Sequence, residues 1–389
     1  MALRDFFFKK QEPKQEMVSQ STPLYSTFSS PFTKIGDGNL ALPYVRGYIN
    51  NERYVRFGVD NLFPQLINQM YYASPLNGSI INFKTNSVIG GGFESNGSRT
   101  GKDKVAEYTF MEKNKIVKMS RQLTKDLIMH GRVYVMICNN NGKISMKRIG
   151  PEKVRVNIDK CEYTISDDWT RNINIRIYKA FNPTIIGDSI YCYEIDGDAG
   201  QDIYPLPGYI SALNWCFVDG EMSYLQKSNI VNSIFPSFMI TMAKKFESQV
   251  EADQFKETIN KSKGAPEAGR IMTFVSEFAE NLPTVTPIPQ NNNDKVFIET
   301  VTNLEANICR GHQIDPLIMG IRPSGKLGSG AELPVAYSIY EKNVVLPLRE
   351  MMEEILDDLF FIGGITTSIT INNYQIVDEQ IVNATNTKA

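Results

Sequence analysis

Between Ile116 and Ile149 the apolar residues change period, and that change constrains the fold more than any other stretch. Ile116, Met119, Leu123, Leu127 and Ile128 recur at spacings of three and four, which puts them on one side of a helix expected over 103–129. Gly131 ends it. Val133–Ile137 is an apolar run of strand length, and Asn139-Asn140-Asn141-Gly142 supplies residues that accept the backbone of a tight hairpin turn. Ile144–Ile149 returns as a strand. With further strands expected at 154–165, 173–181 and 188–195, the region up to about 215 reads as α+β.

Residues 11–33 are rich in Gln, Ser, Thr and Pro and lack an apolar period, so 1–39 reads as an arm outside the core. Pro64 suits the first turn of a helix through Tyr71. A second helix is capped by Ser74, opened by Pro75, faced by Ile80, Ile81, Val88 and Ile89, and ended by Gly90-Gly91-Gly92. A helix over 221–235 closes at Pro236, since proline cannot continue the hydrogen-bond ladder. A small insertion follows: a strand at 237–242, a charged helix at 246–262, a turn at Gly264-Ala265-Pro266, a strand at 270–275 and an extended piece from Pro283 to Pro289. The next helix carries Phe297, Ile298, Val301, Leu304 and Ile308 on one face.

Gly320, Gly325, Gly328 and Gly330 crowd one loop. After it comes the longest expected helix, 332–361, with Pro347 inside it as a source of a kink. Its second half is acidic, with Glu350, Glu353, Glu354, Asp357 and Asp358. A strand at 365–371 precedes a polar tail.

Forty-one Lys plus Arg against 43 Asp plus Glu leave a net charge of −2, which excludes a dedicated tight binder of nucleic acid or anionic membrane. At 389 residues the chain has room for more than one domain. The five Cys, at 138, 161, 192, 216 and 309, form no Cys-x-x-Cys pair and read as reduced thiols. With His130 and His312 as the only histidines, histidine-rich metal chemistry is excluded. No window reaches about 18 apolar residues, and the Phe6-Phe7-Phe8 run is too short for a signal peptide, so neither membrane insertion nor secretion is expected.

Gly320-Ile321-Arg322-Pro323-Ser324-Gly325-Lys326-Leu327 follows the phosphate-loop pattern up to its last position, where Leu327 stands in place of the magnesium-binding Ser or Thr. The segment before it reads as helix rather than strand, which argues against nucleotide binding. His130 and His312 each sit at a helix end, where a cation or donor can satisfy terminal carbonyls; with no Gly-x-Ser-x-Gly elbow present, that capping role is preferred to catalysis. The acids of the long helix spread over several faces and suit a solvated or pore-lining surface better than a metal site. Gly90-Gly91-Gly92 follows a helix, so it reads as a cap rather than a phosphate cradle. Lys244, Lys245, Lys256, Lys261, Lys263 and Arg270 lack interleaved aromatics and read as ordinary surface.

An ordered series of blocks resembles the portal, or connector, proteins of tailed bacteriophages and prophages. They are Phe57-Gly58-Val59-Asp60-Asn61-Leu62-Phe63-Pro64, Ser74-Pro75-Leu76-Asn77, Ile81-Asn82-Phe83-Lys84, Asp126–Val135, Ile149–Arg155, Ile308–Gly320 and Val345-Leu346-Pro347-Leu348. The resemblance implies a ring of about twelve copies at one capsid vertex. The ring would be the channel for double-stranded DNA in packaging and ejection, and it would dock terminase, head-to-tail adaptor and major capsid protein. It would be assembled in the host bacterial cytoplasm and retained in the virion, and it would be non-enzymatic, without cofactor, metal or membrane.

The implied layout is a wing over 40–222, stem helices over 223–235 and 294–316, and a clip over 236–293. A tunnel loop over 317–333 and a kinked helix over 334–361 follow, and the strand and tail over 362–389 leave little or no crown. Arg322 and Lys326 are the channel contacts expected on this basis, with Gly325, Gly328 and Gly330 giving loop mobility. Glu350, Glu353, Glu354 and Asp357 are expected to line a lumen that repels phosphate, because every Lys or Arg contact to DNA adds salt-dependent grip. The other readings are an ATP-dependent DNA translocase using 320–327 and another ring-forming head-to-tail adaptor.

Overall fold

The computed structural model describes residues 33–34, 41–42, 53–58, 60–96, 101–196, 203–232, 238–241, 250, 253–254, 284–287, 293–322 and 332–373. Most of the expected arm, nearly all of the charged helix at 246–262, the turn at 264–266, the strand at 270–275 and the polar tail lie outside the described residues.

β1 (Thr33–Lys34) and β2 (Ala41–Leu42) pair antiparallel. α1 (Phe63–Ala73) has Pro64 in its first turn, where the missing N–H is not needed. α2 (Pro75–Ile89) is capped as its sequence predicts: the Ser74 hydroxyl accepts the Asn77 N–H at 3.3 Å, and Gly90 turns the chain at φ +55°. Gly91 N–H then donates to Asn372 O, and Asn372 N–H donates to Gly92 O, so the glycines lead from the helix cap into β3 (Phe93–Asn96).

The helix expected over 103–129 is two helices, α3 (Gly101–Asn114) and α4 (Ile116–His130), split at Lys115 with φ +50°. Buried Asn114 makes the break: its side-chain N–H donates to Phe110 O, and its Oδ1 accepts the Met146 N–H at 2.9 Å. The side chain therefore ties the helix end to the sheet, an alternative to continuing the helix.

Gly131, at φ +69°, ends α4 and starts β4 (Arg132–Asn140), which joins β5 (Lys143–Ile149) through Asn141 and Gly142, both at positive φ as a type I′ turn requires. The strand expected over 154–165 is also two, β6 (Val154–Val156) and β7 (Glu162–Ile165), because Asn157 accepts the Glu162 N–H and closes a turn through Lys160 at φ +53°. β8 (Arg176–Ala180) and β9 (Gly187–Glu194) complete a six-stranded sheet of order β5-β4-β9-β8-β7-β6, antiparallel except for β8 with β9.

α5 (Leu213–Asn232) starts eight residues before the expected 221, and Gly220 lies within it. A side chain at Gly220 would come within 3.2 Å of the Ala73 Cβ, so glycine lets α5 pass close to α1. β10 (Phe238–Thr241) and β11 (Thr284–Pro287) pair antiparallel, joining the two expected extended pieces of the insertion. α6 (Asn293–Gly311), α7 (Glu332–Tyr340) and α8 (Leu346–Ile362) follow, and β12 (Ser368–Ile371) pairs with β3.

The core is centred where α1, α2 and α4 pack together and α4 covers β4 and β5. Ile80, Ile81, Val88, Ile116, Leu123 and Leu127 are buried there, at about 1.5–3 kcal/mol per large apolar side chain. Blocks far apart in sequence meet in this core. Asn61, at φ +63°, accepts from both Phe57 N–H and Arg155 Nε; Asn77 accepts from His312; and the Ser74 hydroxyl donates to Asp219 at 2.6 Å.

Candidate functional site

The block Ile308–Gly320 folds as a helix end followed by a capped turn. Gln313 takes φ +55°, Ile314 N–H returns to Cys309 O, and the Asp315 carboxylate accepts the Leu317 N–H at 2.8 Å to cap a short 3-10 turn over Pro316–Met319. Gly320, at φ +78°, releases the chain outward, and Arg322 is exposed just before residue 323. Gly325, Lys326, Gly328 and Gly330 lie outside the described residues. The turn before the Gly-x-x-x-x-Gly-Lys run is 3-10 rather than β, so the strand that a phosphate loop requires is missing at this place.

The structure corrects the histidine reading, because neither ring is a cationic cap. His130 is buried with Nε2 3.0 Å from Asn68 Oδ1, and burial followed by the repulsion of Arg132 pulls its pKa down to about 3. His312 stacks on Tyr209 at 4.6 Å between ring centroids and sets Nε2 2.8 Å from Asn77 Oδ1; burial holds it neutral, well below its ordinary range. With Nε2–H as the donor in each pair, Nδ1 of both rings has no partner.

The unfolded imidazoles take protons near pH 6.5 and the folded ones do not, so stability is complete above 6.5 and is lost as pH falls through 6.5 toward the folded values. At about 1.4 kcal/mol per pH unit, the His130 ring alone loses about 2 kcal/mol by pH 5, and His312 loses stability in the same direction. Urea unfolding of wild type and His130→Gln at pH 7 and pH 5 measures this: the variant should lose about 2 kcal/mol less than wild type over that interval, a difference that leaves out the opposing gain from Asp126, whose carboxyl burial raises to about 7.

Pro347 does not interrupt an α-helix. A π-turn, Glu341–Val345, joins α7 to α8, and Leu346 N–H donates to Glu341 O five residues back, so Pro347 falls in the first turn of α8 where no N–H is required.

The acids of α8 have partners that sequence reasoning missed. Glu353 and Asp357 accept the N–H groups of Ile371 and Ile369 on β12, each at 2.6 Å. Glu354 and Asp358 accept the hydroxyls of Tyr193 and Tyr191 on β9, at 2.8 and 2.6 Å. The match is geometric: four helical residues rise about 6 Å, close to the two-residue repeat of a strand at about 6.6 Å. Two carboxylate pairs of spacing i, i+4 thereby bind two strands at alternate residues, and burial followed by the carboxylate bonds raises both tyrosine pKa values. Glu350 is exposed.

Several helices leave apolar residues uncovered among the described residues, and on two of them these residues share one side. Val335 and Ile339, one turn apart on α7, are 58% and 57% exposed, and Trp215, Val218 and Leu225 share a side of α5 and are also exposed. Among the described residues, no helix is long and apolar enough to cross a membrane.

No family model matches the chain. A probable portal protein of Escherichia phage P2 is 20% identical over 177 residues, which are 45% of this chain and 51% of that protein. The chain spans about half the length of this curated relative. It is similar to a phage portal protein. Among solved structures, its fold matches the neck of an empty gene transfer agent particle computed with C6 symmetry, with a TM-score of 0.57 and 15% identity over 82% of this chain and 86% of that one. It also matches the neck of a native particle computed with C12 symmetry, with a TM-score of 0.54 and 14% identity over 83% and 87%. These likenesses establish the fold: a mixed α+β chain of the kind found in the necks of gene transfer agent particles.

Proposed function

We propose that this chain is the subunit of a portal ring at one capsid vertex, a passage for double-stranded DNA and a docking platform for terminase, head-to-tail adaptor and capsid protein. The likeness to neck assemblies of cyclic symmetry over more than four fifths of the chain carries this reading. The uncovered apolar residues of α5 and α7 are compatible with it, since a closed ring needs two different surfaces that meet around one axis.

On this reading the six-stranded sheet and its helices form the wing, and α5 and α6 lead into and out of a clip that contains β10 and β11. The segment after Met319 faces the channel, with Arg322 and Lys326 making brief contacts to phosphate. Glu350, exposed on α8, is the acid free to repel DNA, while Glu353, Glu354 and Asp357 first serve to hold β12 and β9. The chain acts by shape and assembly rather than by catalysis. Native mass spectrometry of the purified protein tests this: a dominant closed oligomer of about twelve subunits is expected, and a monomer at all concentrations overturns it.

A further inference from the structure

A cleft of about 180 Å³ lies where α2, the end of α6 and the π-turn meet. Leu127, Ile128, Val344 and Leu348 make its apolar wall, and Lys84 and His312 are among the polar groups that line it. Among the described residues, its lining contains no Asp or Glu. Lys84 is 7% exposed and has no hydrogen bond or ion pair among the described residues, and burial pulls its ammonium down to about 8. His312 cannot compensate it: the ring is neutral, and its Nε2 is committed to Asn77.

A lysine this deeply buried is almost always paired, and an unpaired one weakens the chain that carries it. The isolated subunit therefore keeps, at a cost, a charge that its own described residues do not answer. The cleft has room for one side chain rather than a nucleotide. Its π-turn wall continues along the chain into α7, which carries exposed Val335 and Ile339.

We infer that the cleft seats a carboxylate side chain from a neighbouring copy of this chain, whose oxygens accept from Lys84 Nζ. The inference rests on the ring reading and gives one of its interfaces a specific contact. It also separates two effects of one substitution. In Lys84→Met an apolar side chain of similar length replaces the unpaired ammonium, so the dissociated subunit gains thermal stability. The neighbour's carboxylate then enters a site without its cation, so the ring weakens.

Full-length wild-type and Lys84→Met proteins are compared by mass photometry across a dilution series and by thermal unfolding under dissociating conditions. The expected result is a wild-type ring, a Lys84→Met ring that dissociates at a concentration at least about tenfold higher, and a higher subunit midpoint. Equal ring stability in the two proteins overturns the inference and leaves the ring reading standing, whereas a wild-type chain that never assembles removes both. If Lys84→Met does not fold, the wild-type ring imaged at side-chain detail decides. A carboxylate oxygen within about 4 Å of Nζ supports the inference, and a cleft holding only water, or a phosphate, overturns it.

Discussion

A chain carrying Val335→Glu and Ile339→Glu together stays folded and does not assemble. Both positions are more than half exposed in the subunit, and a surface substitution away from caps and cores shifts stability by only about 0.5 kcal/mol. Across an interface the same change replaces two apolar contacts per subunit with two carboxylates that lose water without a partner, and burying such groups costs several kcal/mol. A ring repeats that penalty at every junction. Sizing and circular dichroism measure the two halves separately: an unchanged helix signal with a monomeric mass is expected. Val105→Glu with Tyr108→Glu, on the exposed side of α3, adds the same charge elsewhere and serves as the comparison. Rings that persist in the Val335 and Ile339 variant show that this face is not the junction.

Arg148→Ala lowers the stability of the sheet region by about 3 kcal/mol, within the range for breaking a buried pair on one side. Arg148 Nε and Nη2 reach the two carboxylate oxygens of Asp126 at 2.6 Å each, and the Asp126 side chain is 5% exposed. Burial pushes the Asp126 carboxyl upward while the guanidinium fork pulls against it. Without Arg148 the Asp126 carboxyl, on α4 against β5, loses both of its hydrogen-bond donors and is driven to take up a proton at a cost. Urea unfolding measures the loss. Replacing Asp126 and Arg148 together by Leu should recover more than half of it, because the double change removes both charges instead of orphaning one. A loss below about 1 kcal/mol for Arg148→Ala means the pair carries little of the stability assigned to it.

What the sequence made legible was local. The Ser74 cap, the Gly131 stop and the Asn141-Gly142 hairpin each depend on residues a few positions apart, and each takes the expected conformation. The break at Lys115 was hidden because its cause is a bond from Asn114 to Met146, 32 residues away. The acid ladder of α8 was hidden for the same reason. Its i, i+4 spacing is visible in the sequence, but the strand N–H groups and tyrosine hydroxyls that match it lie on β12 and β9. The histidines were misread because both end a helix, which suits a capping cation, whereas their burial comes from neighbours on other elements. Pro347 marked a real irregularity, and the chain accommodates it with a π-turn that ends two residues earlier.

Electron microscopy of the purified full-length chain tests the central claim most directly. The account predicts end-on class averages showing closed rings of about twelve subunits, with an open centre and the six-stranded sheets at the rim. Particles without a central opening, or a chain that stays monomeric at high concentration, would contradict it.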